Sequence, residues 1–310
     1  MNWRKSRPQQ NQAASASLRG ARLPADEPLA SHRFSPENLW GIAFILPYLA
    51  VFCLFVIYPI GYGLWLGLRL ESFEALFSDP IYWRTVVNTL LLIIVGVNLK
   101  MFLALLLSGF FLQRYRLMPL LLLIFILPWA MPSIPTFIAV RWLLNSQWGL
   151  INNVIWAGWQ VDGPGWLTDP TLAMGGVIVF YIWKWLPFWT VIFIAGRTAI
   201  PEDLYEAGRV DGANKIELFR YVTFPMMASL YLICTVLSMI WTLGDYNTVR
   251  FITGGGPTLS THVLATLGIR DAFEIGEPSV GMAAVISALP VLVPLVVLLV
   301  WRMNKERVQL

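Results

Sequence analysis

The sequence predicts an all-α membrane protein that crosses the bilayer six times. Of its 310 residues, 57% are hydrophobic and 13% are charged, whereas soluble domains carry roughly 25% charged residues. The mean hydropathy is +0.64. Several apolar segments approach or exceed the roughly 20 residues that a helix needs to cross the hydrocarbon core. The composition therefore indicates a polytopic membrane protein, and its basic residues are topology signals rather than a nucleic-acid footprint.

Six apolar segments qualify as spans, between two polar tails. Residues 1–39 are rich in Arg, Gln, Ser and Pro and are predicted to be a disordered tail. Residues 302–310 form the second tail. In the third span Pro128, Pro132 and Pro135 remove backbone donors, so a bend is expected there. The predicted transmembrane domain, residues 40–301, has spans at 40–66, 86–112, 118–143, 172–196, 229–250 and 279–301.

The distribution of Lys and Arg orients these spans. With the N-terminus inside, fifteen basic residues fall in the inner segments and three fall in the outer loops. Loops rich in Lys and Arg remain in the cytoplasm. Both termini are therefore expected in the cytoplasm, and the same orientation places the polar segment 200–225 there.

Segment 200–225, IPEDLYEAGRVDGANKIELFRYVTFP, has the signals of a short helix-turn-helix. Pro201 suits a first helical position, and the acidic residues that follow suit the positive end of the helix dipole. Asp211-Gly212 predicts a break, because glycine tolerates the positive φ that ends a helix. Pro225 is expected to close the second helix. An element of this kind between two spans indicates a docking site.

The spacing of these residues resembles the EAA loop of binding-protein-dependent ABC importer permeases. The resemblance is carried by Glu206-Ala207-Gly208, Gly212 and the run Val222-Thr223-Phe224-Pro225. Gly208 stands where the family usually has Ala, and Phe224 where it usually has Leu. In that family the loop inserts into a cleft of the cytoplasmic ATPase subunit. The implied ATPase-coupling residues are Glu206, Ala207, Gly208, Asp211 and Gly212.

Further stretches extend the resemblance over residues 40–301. Residues 126–152, 182–196 and 253–261 are similar to the matching parts of MalF-type sugar permeases. The resemblance implies a type I ABC importer permease fold in the bacterial cytoplasmic (inner) membrane. It also implies four kinds of partner: a second homologous permease, two ATP-binding ATPase subunits, an extracytoplasmic solute-binding protein and a sugar-like substrate.

No sequence motif in this chain indicates nucleotide hydrolysis, catalysis or metal binding. It has no G-x-x-x-x-G-K-[ST] phosphate loop, so ATP and Mg²⁺ are expected on the partner ATPase and no cofactor on this chain. No nucleophile, base and carboxylate fall into a catalytic arrangement, and the two histidines lack metal-ligand spacing. The sequence therefore predicts a permease subunit and not an enzyme.

Polar residues inside the fifth span are candidates for substrate binding. Ser238, Trp241, Thr242 and Asp245 are spaced to share one helical face. Hydroxyl and carboxylate groups bond sugar hydroxyls, while an indole packs on the C–H face of the ring. The alternative is that this stripe makes helix-helix hydrogen bonds and aromatic contacts.

The resemblance adds Lys184, Trp185 and Phe188, which fall at the other sugar-contact positions of the maltose permease. Lys184 is expected to pair with Asp245, because unpaired opposite charges side by side are hard to sustain when buried. A pair favours a neutral sugar, and an unpaired lysine favours an acidic sugar or a sugar or polyol phosphate. Lys100 is expected to be structural or interfacial, with its amine snorkelling to a span end.

An ion-coupled secondary transporter of a small polar solute is the alternative function. Such a protein is expected to show internal repeats and acidic ion sites near the bilayer midplane. No repeat is evident, and Asp245 is the only clear carboxylate within a span. The sequence therefore favours the ATP-driven importer.

Overall fold

The computed structural model describes residues 36–113 and 115–307, with side chains from 40 to 302. The predicted tail 1–39 lies outside the described residues except for 36–39, and so do residues 308–310. The described chain divides into two compact units, one ending at Ile60 and one beginning at Gly61. The first unit is a helix that begins at Pro36, and its residues 40–60 are all exposed.

The described residues are helical and contain no strand, which confirms the predicted all-α membrane fold. Five helices are long and apolar enough to span a membrane, and a bent pair makes six if it counts as one span. We label them, with two short helices, α1 (Trp40–Gly67), α2 (Pro80–Phe111), α3 (Met118–Ala130), α4 (Ser133–Leu143), α5 (Pro170–Thr198), α6 (Glu202–Val210), α7 (Lys215–Leu243), α8 (Asn247–Ile252) and α9 (Pro278–Arg302). Shorter helices at Leu70–Ser78, Leu150–Trp159 and Leu264–Ile269 lie between them.

The third predicted span is broken, and its halves α3 and α4 meet at 96°. The break falls at Met131 and Pro132, both in extended conformation. Two prolines explain it: Pro132 and Pro135 have no N–H to donate to the carbonyls four residues earlier. Those carbonyls belong to Pro128 and Met131. The sequence predicted a bend here, and the structure shows a right-angled corner instead.

Helix α7 contradicts two predicted boundaries. It runs through Pro225, which was expected to close a short helix, because residues Phe219–Thr223 form a π-helical turn just before the proline. The wider turn accommodates a ring that would clash with an α-helical carbonyl. Helix α7 also ends at Leu243 and not near residue 250, because the chain breaks at Gly244 and resumes as α8.

Segment 200–225, which comprises α6, the turn at Gly212 and the first turns of α7, is the predicted helix-turn-helix. Pro201 is the residue before α6 rather than its first residue. The break is as predicted: Gly212 has φ +83°, and Gly212 and Ala213 donate backbone hydrogen bonds to the end of α6. Asn214 caps the second helix, accepting from two backbone N–H groups while Glu217 accepts from the Asn214 N–H. The two helices of this segment are held together by Tyr205, whose hydroxyl lies 3.0 Å from that of Thr223.

The core forms where α5 packs against α2, α3 and α7. It is apolar at Val97, Met101, Val177 and Phe193, all fully buried. Polar side chains are buried in the same bundle, among them Lys100, Lys184 and Ser238. Because hydrocarbon offers no hydrogen-bond partners, each of these must be satisfied by the protein or by a cavity.

Small residues allow the closest helix contacts. Gly63 and Gly67, the GxxxG of α1, are buried against Met282 of α9. A Cβ at Gly67 would lie 2.8 Å from the Met282 carbonyl carbon, so a larger residue cannot pack there without a backbone shift. This is the close approach that small residues permit between membrane helices.

A glycine-rich loop follows α8. Gly254 and Gly255 have positive φ, and α8 stops just before them. Asn88 of α2 holds the loop by donating to the backbone carbonyls of Ser260 and His262 at 2.7 and 3.0 Å. The loop therefore fixes α8 against α2.

Candidate functional site

A cavity of about 290 Å³ lies between α2, α5 and the end of α7. Its walls come from three helices and from the break between α7 and α8, where no regular helix fills the space. The wall combines charged, hydroxyl and indole groups. The lining residues are Lys100, Tyr181, Trp185, Trp189, Ser238, Trp241, Thr242, Gly244, Asp245, Tyr246 and Asn247.

Lys100 occupies the bottom of this cavity and is only 1% exposed. It follows the π-helical segment Leu92–Val97 of α2, an irregularity that is frequent at functional sites. Its ammonium donates to the Tyr181 hydroxyl at 2.5 Å and to Ser238 Oγ at 2.8 Å. It also lies 4.2 Å from the centre of the Tyr181 ring, a cation–π contact. Hydroxyl oxygens and a ring face thus replace part of the water that the ammonium gives up.

The hydroxyl groups around Lys100 form a directed chain. Thr242 Oγ1 donates to the Ser238 carbonyl at 2.6 Å, so its proton is committed. The Tyr181 hydroxyl, 2.5 Å from Thr242 Oγ1, must then be the donor between them. Tyr181 in turn accepts from Lys100. The chain locks these side chains into one rotamer set across α2, α5 and α7.

Asp245 lies in the break after α7 rather than on its helical face. Its carboxylate caps α8, with Oδ1 accepting from the Thr248 N–H at 3.1 Å and Oδ2 from the Thr248 hydroxyl at 2.5 Å. The N-cap residue of α8, Tyr246, makes no side-chain cap, so the carboxylate one residue earlier satisfies this N–H instead. The backbone N–H of Asp245 still reaches the Thr242 carbonyl at 3.1 Å. The break therefore keeps the carboxylate beside the stripe that the sequence predicted.

Aromatic side chains form one wall of the cavity. The Trp241 ring lies 5.6 Å from the Trp189 ring and 5.8 Å from the Phe188 ring, and Phe188 stacks on Trp129 at 5.5 Å. Trp241 is 51% exposed, whereas Trp189 is fully buried. The exposed indole face is an apolar platform of the kind on which sugar rings pack.

Lys184 does not face Asp245, and the predicted pair between them is wrong. The Lys184 ammonium donates to the carbonyls of Pro128, at 2.7 Å, and Met131 at the corner between α3 and α4. These carbonyls lack their helical donors because of Pro132 and Pro135. Lys184 therefore provides the hydrogen-bond donors that the two prolines lack, and in this way it stabilises the corner between α3 and α4.

The structure places most of the sequence-predicted residues together. Trp185, Ser238, Trp241, Thr242 and Asp245 line the cavity, Phe188 packs beside it on Trp241, and Lys184 lies outside the lining. That they bind a substrate stays a prediction. The sequence missed Tyr181 and Trp189, and Lys100 is buried in the cavity instead of snorkelling to a span end. The missed signal was its place in the middle of the predicted span 86–112.

The described residues contain no group of His, Cys, Asp and Glu side chains that could hold a metal ion. The cavity presents a cation, a carboxylate, hydroxyls and indoles. Groups of these kinds can make hydrogen bonds to a polar solute and stack on its apolar face.

Comparison with known proteins supports this description. Residues 100–304 match the family described as binding-protein-dependent transport system inner membrane component. A probable ABC transporter permease protein of Brucella suis is 32% identical over 73% of this chain and 78% of its own length. The trehalose/maltose transport system permease protein MalF of Thermococcus litoralis is 28% identical over 83% of this chain and 91% of its own.

The fold also occurs in a solved structure. A chain of the bacterial alginate ABC transporter, crystallised with its alginate pentasaccharide-bound periplasmic protein, superimposes with a TM-score of 0.72. The match covers 87% of this chain and 95% of the other at 22% sequence identity. At that identity the match establishes a shared fold.

The corner between α3 and α4 predicts a specific loss of stability. Lys184→Met leaves two part-buried carbonyls without donors, and each such group costs at most about 1–3 kcal/mol. We expect a lower midpoint of thermal unfolding in detergent, with partial recovery in Lys184→Gln, whose amide retains donors. Because Lys184 and Asp245 do not interact, the losses in Lys184→Met and Asp245→Asn should add in the double variant. A double variant more stable than Lys184→Met alone would restore the rejected pair.

Proposed function

The chain belongs to the family of inner membrane components of binding-protein-dependent transport systems, and we propose that it is a permease subunit of an ATP-driven importer for a sugar or sugar-like solute. The cavity is the observation that carries the proposal. It puts hydroxyls, a carboxylate and an ammonium next to the exposed face of Trp241. The relative from Thermococcus litoralis is named for trehalose and maltose. A hydroxyl-rich solute matches both the polar and the indole surfaces.

The cavity forms half of a pathway that a second, homologous permease completes. The solute is delivered by an extracytoplasmic solute-binding protein and passes between the two permeases by alternating access. Two ATPase subunits bind ATP with Mg²⁺, close on it and open the pathway outward, and hydrolysis resets it. This chain holds and positions the solute, while the ATPase subunits carry out the hydrolysis.

The loop 200–225 is the contact with an ATPase subunit. Its surface has a large apolar component: Val210 is 87% exposed and Ile216 is 78% exposed. Glu206 and Asp211, also exposed, lie beside them. An exposed apolar patch rimmed by charges is typical of a protein docking site. The Tyr205–Thr223 contact and the capped second helix make the loop a rigid lever rather than a flexible linker.

The basic residues orient the loop toward such a partner. Both termini and the loop 200–225 lie in the cytoplasm, where ATP is available, and the glycine-rich loop after α8 faces outward. Arg197, at the end of α5, donates to the Leu105 carbonyl of α2 at 2.9 Å and lies over the Phe219 ring of the loop. Motion of the loop therefore reaches α2, the helix that carries Lys100.

The energy source of uptake tests the proposal. In cells that contain the whole importer, we expect uptake of labelled trehalose, or of another neutral disaccharide, to stop when ATP is depleted. The same uptake should persist when a protonophore or a sodium ionophore collapses the ion gradients while ATP is maintained. Uptake that follows an ion gradient and ignores ATP would contradict the proposal and support an ion-coupled transporter.

The positive φ of Gly212 tests the coupling loop. Gly212→Pro cannot adopt this conformation and should abolish uptake and ATPase co-purification while leaving insertion intact. Gly212→Asn is the matched control, since Asn tolerates positive φ, and should retain most of the activity. Glu206→Lys, which reverses an exposed charge, should also uncouple the complex. Normal uptake with Gly212→Pro and Glu206→Lys combined would remove the loop from the coupling mechanism.

A further inference from the structure

Two opposite charges line the cavity without touching each other. Lys100 approaches from α2 and Asp245 from the break after α7. In the described part of the chain the ion pairs within 4.0 Å are Arg250–Glu274 and Arg270–Asp271, so the Lys100 ammonium and the Asp245 carboxylate are further apart than that. Both groups nevertheless face the same 290 Å³ space. The structure thus holds a separated charge pair around a cavity.

Each charge has capacity left for a ligand. An ammonium has three N–H donors, and Lys100 uses two of them on Tyr181 and Ser238 among the described residues. A carboxylate has about four lone-pair sites. The side chain of Asp245 accepts two hydrogen bonds from Thr248 and also interacts with the backbone N–H of Asn247. One donor and one acceptor site therefore remain for a ligand.

A hydroxyl group is the chemistry that fits this arrangement. It accepts a hydrogen bond from an ammonium and donates one to a carboxylate. Two neighbouring hydroxyls of one sugar ring can therefore reach both charges at once. The ring's C–H face can then pack on Trp241, whose indole lies on the same cavity wall. A carboxylate or phosphate on the solute would satisfy Lys100 but would bring a second negative charge close to Asp245.

The low dielectric of the cavity makes the difference in binding between a neutral and an acidic solute large. Attraction and repulsion between charges are several-fold stronger at a partly buried site than in water. Lys100 and Asp245 together contribute no net charge to the cavity. The other lining side chains carry hydroxyl, indole or amide groups and add no further carboxylate or amine. An uncharged solute therefore enters a cavity whose lining has no net charge, and the net charge stays zero when the solute is bound.

We propose that Lys100 and Asp245 are a specificity pair that selects a cargo of zero net charge, which bridges the two groups through its hydroxyls. Asp245 is the residue that rejects acidic sugars, and Lys100 is the residue that donates to a sugar hydroxyl from the opposite side of the cavity. This inference rests on the proposed transport of a sugar-like solute and adds the charge class of that solute. The fold itself does not set this class, because the similar solved transporter imports the acidic polysaccharide alginate.

Binding of matched neutral and acidic sugars tests the pair. The probes are glucose with glucuronate and cellobiose with cellobiouronic acid. Binding is measured by saturation-transfer NMR on the detergent-solubilised importer without its solute-binding protein, so that only the membrane subunits discriminate. We expect the wild-type complex to bind the neutral member of a pair at least tenfold more tightly than the acidic member.

Removal of the carboxylate should reverse the discrimination. Asp245→Asn keeps a capping acceptor for α8 and should raise the affinity for the acidic members at least tenfold relative to the neutral ones. Lys100→Gln leaves the negative charge and should weaken neutral binding without any gain for acidic probes. Asp162→Asn is the control: it makes the same charge change at an exposed loop position outside the lining and should change neither affinity. Thermal midpoints verify that each variant is folded.

The outcomes separate the specificity pair from the proposed function. A wild-type preference for the acidic probes, or an unchanged ratio in Asp245→Asn, overturns the charge proposal while leaving sugar transport in place. If Asp245→Asn does not fold, a gain of acidic binding in Lys100→Gln overturns it instead. Binding of neither class by the folded wild-type complex contradicts sugar transport itself, and the specificity proposal falls with it.

Discussion

The burial of the Lys100 ammonium among membrane helices is the constraint on which this site depends. A buried charge is tolerated only when donors, acceptors and counter-charges around it are arranged in advance. Tyr181, Thr242 and Ser238 provide that arrangement through a hydrogen-bond chain in which each proton has one direction. The chain ties three helices together at the cavity. Losing any of these side chains leaves an unsatisfied polar group in the bundle. The hydrogen bonds that shape the cavity are therefore the same ones that hold the three helices together.

A second constraint comes from the backbone. Prolines break the third predicted span, and Lys184 satisfies the carbonyls that they leave free. Gly244 ends α7 early, and Asp245 uses the resulting gap to cap α8. Irregular backbone inside a membrane persists only where protein or a cavity satisfies it. At the corner between α3 and α4 the free carbonyls are satisfied by Lys184. The break between α7 and α8 instead lines the cavity.

Much of this could be predicted from the sequence, because composition, proline positions and glycine breaks act locally. The six apolar segments, the turn at Gly212 and the stripe from Ser238 to Thr242 follow from such signals. The hydrogen-bond partners of Lys100 and Lys184 could not be predicted, because they depend on how each helix is rotated about its axis. The spacing of polar residues over 238–245 fits one continuous helix, so it gave no sign of the break at Gly244. Pro225 was misjudged for a similar reason: a π-helical turn absorbed a ring that normally ends a helix.

Access to the cavity during the transport cycle tests the central claim most directly. Asn247 lines the cavity, and a single thiol can be placed there by Asn247→Cys after Cys53 and Cys234 are changed to alanine. The measurement is the rate at which an impermeant maleimide, added from the outer side, labels this thiol in the whole importer. If the cavity belongs to an alternating-access pathway, labelling should be slow without nucleotide and at least several-fold faster when ATP and vanadate trap the ATPase subunits. Equal rates in the two states would contradict the account.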